Sequence, residues 1–152
     1  MKWFLMEMSY DEIRKIHRFE KNTSQLMDVG VDFYEELHSF LKKEKQKYLE
    51  SLKVFSISKT RDFTNLKKMV EEIFSLREKK ILNRALVASR TKEASEENLS
   101  SHEKKIFKKM LELLTQHNEI LHDLFETDAL FASQKSFDSE ESKVELLEDV
   151  PS

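Results

Sequence analysis

Two pairs of residues carry the spacing that metal chemistry needs. Glu35 with His38, and Glu119 with His122, are both E-x-x-H, the arrangement that carboxylate-bridged di-metal bundles use twice, with two further glutamates, all pointing into a helical core. The helical angle of about 100° per residue argues against such a site here. Measured from apolar Leu37, Glu35 lies about 200° around the helix and His38 about 100° to the other side. Glu119 and His122 are displaced in the same way from the stripe that runs from Leu114 to Leu121. All four are expected to face water, with no metal and no other cofactor held.

The other chemical side chains read as structural. His117 stands three residues before Ile120 and four before Leu121, on an apolar face, which suits a hydrogen-bonded core or interface histidine better than a catalytic one. His17, between Ile16 and Phe19, reads as a helix-face residue. Arg77 continues the apolar register of Val70, Ile73 and Phe74. A guanidinium on such a face needs a carboxylate or carbonyl partner, supplied either by an internal organising salt bridge or by another subunit. Nucleophilic catalysis has no visible seat. The chain has no Cys, and Gly30 is its single glycine, whereas a strand-to-helix nucleophile turn, a phosphate-binding loop and a dinucleotide fingerprint all need several. Without Cys there are also no disulfides and no Cys-based zinc sites. The expectation is a protein that is not an enzyme.

Average usage of roughly 7% Gly would give about eleven glycines in a chain of this length. One Gly and one Pro in 152 residues leave little material for tight hairpins and point to an all-α fold. Ser9-Tyr10-Asp11-Glu12 is a capping box opening a short helix with Ile13, Ile16 and Phe19 inward, fading near Asn22-Thr23-Ser24. Gly30 punctuates, and Asp32 with Glu35 offers a second start. From there Phe33, Leu37, Phe40, Leu41, Tyr48, Leu49, Leu52 and Phe55 recur at amphipathic spacing. After a break at Ser56-Ile57-Ser58, a third helix is predicted from about Thr60 to Ser89, with a stripe wide enough to pack on two sides. A polar loop from Thr91 to Asn98 precedes a second capping box, Ser100-Ser101-His102-Glu103, and a fourth helix whose apolar face includes Ile106, Phe107, Met110, Leu111, Leu114, Leu121, Leu124 and Phe125. The architecture read from this pattern is a four-to-five-helix bundle over residues 1–125.

Charge divides the chain. Residues 126–152 hold eight acids and two lysines, net −6, and residues 1–125 hold 24 basic and 21 acidic groups, net +3. The tail reads as an acidic flexible linker over 126–142, followed by a short strand-like piece over 143–152. In the body, Lys42-Lys43, Lys67-Lys68, Lys79-Lys80 and Lys104-Lys105 are interleaved with Glu44, Glu71, Glu72, Glu78 and Glu103. That mixture suits a solvated face rather than a nucleic-acid surface, so strong direct DNA binding is not expected. The apolar start from Met1 to Met6 is interrupted by Glu7 before a signal-peptide core forms, and no run reaches the length of a transmembrane helix. A membrane contact is not expected.

Three segments, in this order, resemble the GINS replication-factor family: Asp32-Phe33-Tyr34-Glu35-Glu36-Leu37, then Arg77-Glu78-Lys79-Lys80-Ile81 with Ala85 four residues on, then Leu99-Ser100-Ser101-His102-Glu103-Lys104-Lys105-Ile106-Phe107. The second matches an R-x-x-K-I pattern, and the third resembles the capped start of the family's last core helix. Lys143-Val144-Glu145-Leu146-Leu147-Glu148-Asp149-Val150-Pro151 is similar to the opening strand of the small B domain that follows the helical A domain in one archaeal subunit class, almost all of which is absent from this sequence. The resemblance implies a non-catalytic, cytoplasmic and chromosome-associated subunit (nuclear in a eukaryotic source). Its implied partners are a second GINS-type subunit in a hetero- or homotetramer, the MCM helicase and a Cdc45/RecJ-like protein. It makes Arg77 and Lys80 organising residues and places subunit contacts between Met110 and Leu121, with Ile81, Phe107, Leu114 and His117 among the structural or interface positions. A generic helical adaptor with no replication role is the alternative reading.

Overall fold

The computed structural model describes residues 7–126, which form four helices: α1 (Tyr10–Asn22), α2 (Phe33–Leu52), α3 (Ile57–Thr91) and α4 (Ser101–Phe125). Among the described residues there is no strand, and no helix is long and apolar enough to cross a membrane. The strand-like piece over 143–152, most of the acidic linker over 126–142 and the apolar start from Met1 to Met6 lie outside the described residues.

Three of the four helices, α1, α3 and α4, start where a serine side chain satisfies one of their first amides. Ser9 accepts from the Glu12 amide at 3.1 Å, Ser56 from the Lys59 amide at 3.3 Å, and Ser100 from the Glu103 amide at 3.2 Å, each occupying a donor that helix geometry leaves unpaired. Asp32 precedes α2 but makes no side-chain cap bond. The Ser56 cap starts α3 at Ile57, three residues earlier than the apolar pattern predicts. The helix then runs 35 residues to Thr91 and is capped by Lys92 in the left-handed region.

The chain divides into two units, Met1–Leu111 and Glu112–Ser152. In the first, α3 packs against α1 and α2 around a core of Ile13 and Ile16 from α1, Val29 from the connection, Phe33 and Leu37 from α2, and Leu66 and Ile73 from α3. Gly30, the single glycine, sits at φ 91° beside Val29, a conformation open to glycine without steric cost. Its N–H donates to Asp28 Oδ1 at 3.1 Å. The described part of the second unit is the C-terminal stretch of α4, residues 112–125, and Glu126.

Two expectations about apolar rows need correction. The α2 row does not continue through Phe55, because the helix ends at Leu52 and closes with three-residue turns, Lys53 N–H to Glu50 and Phe55 N–H to Leu52. Those turns rotate the chain out of register and leave Phe55 89% exposed. The wide α3 stripe is also only partly covered: Leu66, Ile73, Ile81 and Ala85 are buried, whereas Phe74, Leu82 and Val87 are about half exposed. Two neighbouring helices fill one side of a stripe that sequence alone shows as continuous.

Candidate functional site

The most chemically dense position in the first unit is the middle of α3. Arg77 is fully buried, and a guanidinium offers five N–H donors and no acceptor. All five are used. Nε and Nη2 donate to the two oxygens of Glu103 at 2.8 and 2.7 Å. Nη1 donates to Glu20 Oε2 at 2.8 Å and to the Met27 carbonyl at 2.9 Å, and Nη2 also reaches the Asn98 carbonyl at 2.9 Å. One turn on, Lys80 spends its three donors on Glu20 Oε1 at 2.7 Å and on the Glu20 and Gln25 carbonyls at 2.8 Å each. Two cations therefore face two carboxylates, and their mutual attraction and hydrogen bonds offset the desolvation penalty that burying the charges incurs.

Local structure explains how each carboxylate arrives. Glu20 follows Ile13 and Ile16 at i+7 and i+4, which places an acid on the buried face of α1. It is 1% exposed, and Oε2 also accepts the Met27 amide at 3.0 Å. Glu103 is the fourth residue of the α4 capping box, three after Ser100, so Oε1 reaches back to the Ser100 amide at 2.9 Å while facing Arg77. Burial alone would raise the Glu103 carboxyl. The Arg77 hydrogen bonds and charge, helped by the Ser100 amide and the Tyr34 hydroxyl, hold it below the usual carboxylate range. Tyr34 donates to Glu103 Oε2 at 2.9 Å. Burial first, and then the Glu103 charge, push that phenol well above its ordinary value.

The same face of α3 fastens two connections. Arg84, one turn beyond Lys80, donates to the Ser95 and Glu97 carbonyls at 3.1 and 2.8 Å. Asn98, in the left-handed region at φ 66°, donates through Nδ2 to the Leu26 carbonyl at 3.1 Å, and the Ser101 amide donates to the Val31 carbonyl at 2.9 Å. Segments 23–31 and 92–100 are thus tied to α3 and to each other. Among the described residues no buried side-chain nitrogen or oxygen lacks a partner. The junction is a closed fastening: every strong donor points at protein, so its chemistry is positional.

The chain matches the family model described as "GINS complex protein helical bundle domain" over residues 6–122. The chain belongs to the GINS family. Comparison with curated proteins and with solved structures returned no match. The GINS domain supports a role as a non-catalytic subunit of a replication complex.

The residues singled out from sequence fall into two groups within this GINS chain. Arg77 and Lys80 meet at Glu20, and Ile81 and Phe107 are buried at 4% and 1% exposure. Met110 is half-buried in the first unit. In the second unit Leu114 is half-buried, while His117 and Leu121 are exposed, so His117 is not a core histidine. With Leu113, Ile120 and Leu124, each more than half exposed, His117 and Leu121 fall on one helical face at spacings of 4, 7, 8 and 11 residues from Leu113. Glu35 and His38 are exposed, as are Glu119 and His122. His17 pairs with Glu72, Nε2 to Oε1 at 2.6 Å, and that hydrogen bond lowers the Glu72 carboxyl. Sequence reading missed Glu20. Its signal was an acid in the register of an apolar stripe, where a solvated carboxylate would not be expected.

Proposed function

We propose that this chain is a non-catalytic GINS subunit that assembles with a second GINS-type chain into a tetramer and bridges the MCM helicase and a Cdc45/RecJ-like protein at the replication fork. The observation that carries the assembly part is the apolar stripe on the last turns of α4. Leu113, Ile120, Leu121 and Leu124 are all more than half exposed, and a contiguous apolar face of this kind marks an interaction surface. Arg77 and Lys80 act in this reading as organisers. They fix the start of α4, which belongs to the first unit, against α1 and α3. The acidic stretch 126–142 serves as a tether, with residues 143–152 beginning a B-type module.

The test is affinity capture of the tagged chain from extract of its source organism, run with the full sequence and with a chain ending at residue 126. Recovery of a second GINS-type chain together with helicase and RecJ-like components supports the reading. Retention of the GINS-type chain alone by the shorter form would assign assembly to the helical part and recruitment to residues 127–152. Absence of all three from both captures overturns it and favours the generic adaptor.

A further inference from the structure

The groove between α2 and α3 contrasts with the Arg77 junction. It encloses about 740 Å³, within the range of sites that take a ligand or a short segment. Half-buried Leu41, Phe63 and Val70 line it, flanked by exposed Lys42, Lys45 and Lys67. Where Arg77 and Lys80 use every donor internally, none of these three lysines has an ion-pair or hydrogen-bond partner among the described residues. Glu71, at one end, is the single carboxylate of the lining, and His38 completes it. Three uncompensated cations beside an apolar surface are the complement of a segment that is apolar on one side and acidic at its edges.

We propose that this groove docks an acidic amphipathic helical segment of a partner protein. Phe63, Lys67 and Val70 follow one another at i, i+4 and i+7 on α3, so the groove runs about two turns, or about 10 Å along the helix. A helix laid along it meets Leu41, Phe63 and Val70 with anchors at i, i+3 or i+4, and i+7, the usual spacing of helix-in-groove recognition. Acids on either side of those anchors meet Lys42 and Lys45 from α2 and Lys67 from α3. Glu71 disfavours acids at its end and so sets a direction. A nucleic acid fits less well: three of the eight lining residues, Leu41, Phe63 and Val70, are apolar and half-buried, and a phosphate backbone needs a continuous basic track. No residue of α4 lines this groove, and its role does not depend on the proposed tetramer.

The experiment uses the full chain and a fluorescein-labelled peptide of about fourteen residues with Leu and Phe at i, i+3, i+4 and i+7 and Glu on both flanks. Three controls accompany it: a scrambled peptide of the same composition, a Lys-for-Glu version and an oligothymidylate of equal length. Anisotropy titration should show saturable binding of the amphipathic acidic peptide alone. The K42E/K45E/K67E variant, altered only at exposed positions, should weaken it by about tenfold or more with unchanged circular dichroism. Absence of binding, equal binding of the scrambled peptide, undiminished binding by the triple variant, or tighter binding of the oligonucleotide through the same lysines would each overturn the proposal.

Discussion

Arg77 and Glu103 meet side-on, with Nε and Nη2 donating to the two oxygens of one carboxylate at 2.8 and 2.7 Å. The fork is rigid at both ends, because a planar guanidinium matches a carboxylate in few orientations. The same carboxylate closes the capping box on the Ser100 amide and accepts the Tyr34 hydroxyl of α2. One side chain therefore starts α4, fixes it to α3 and ties it to α2. The base of α4 is held by a salt bridge that is almost wholly buried.

Removing Arg77 should be among the most damaging single changes in the chain. Arg77→Met deletes five hydrogen bonds and leaves Glu103 buried without a counter-charge, while Glu20 keeps Lys80. Breaking a buried pair from one side costs about 3–5 kcal/mol, and urea unfolding should show a loss of that size. Because Glu103 is the orphan, adding Glu103→Gln to Arg77→Met should cost less than the two single losses summed. Strict additivity would mean that the two side chains do not act as a unit.

The depressed Glu103 carboxyl makes stability depend on acid. Unfolded, this group titrates near ~4.3. Folded, it titrates lower, because Arg77 and its other donors outweigh the effect of burial. Below its ordinary range the unfolded chain binds the proton more readily than the folded one. The stabilisation is therefore complete above that range and is lost as the pH falls through the depressed value. Acid unfolding followed by circular dichroism should be shallower in Glu103→Gln than in the unaltered chain, and parallel acid limbs would refute the assignment.

How much of this was legible in advance follows from the kind of signal each residue leaves. The capping box at Ser100 and Glu103 is local, and it reads directly from four adjacent residues. Arg77 announced a need for a partner because an arginine interrupts an apolar register. Its partners were not legible: Met27 and Asn98 contribute carbonyls, which every residue has, and their position depends on two irregular connections with no periodicity to read. Glu20 was readable in principle, since it shares a face with Ile13 and Ile16, but an acid near a helix end is ordinarily assigned to water. Exposure along α4 follows a different logic. An apolar stripe looks the same in sequence whether a neighbour covers it within the chain or outside it, so His117 could not be placed until its surroundings were.

Phe55 offers a test of backbone strain in the turn between α2 and α3. It sits at φ 54° and is 89% exposed, so its ring gains little packing to offset a conformation that costs L-residues about 1–2 kcal/mol. Phe55→Gly removes the Cβ clash and should raise stability by up to about 1 kcal/mol after the flexibility of glycine is allowed for. Phe55→Ala keeps the Cβ and should show no such gain. A thermal melt in which Ala and Gly rise equally would point to loss of the exposed ring, not to strain, as the cause.

The α4 stripe gives the sharpest separation between folding and assembly. Leu121 and Leu124 are 55% and 65% exposed and lie far along the helix from the Glu103 fastening, so they contribute little to the isolated chain. Leu121→Glu with Leu124→Glu should change its unfolding free energy by no more than about 0.5 kcal/mol per site, the usual range for surface substitutions. In an assembly seated on this stripe, as proposed above, the same changes bury two unpaired carboxylates against apolar surface, at a large desolvation cost. Native mass spectrometry of the chain, alone and with a second GINS-type subunit, should therefore show the larger species shift to free subunits in the double variant, with melting temperature of the free chain unchanged. Persistence of the larger species would place the contact elsewhere. A lowered melting temperature would mean that the stripe is covered within the chain itself.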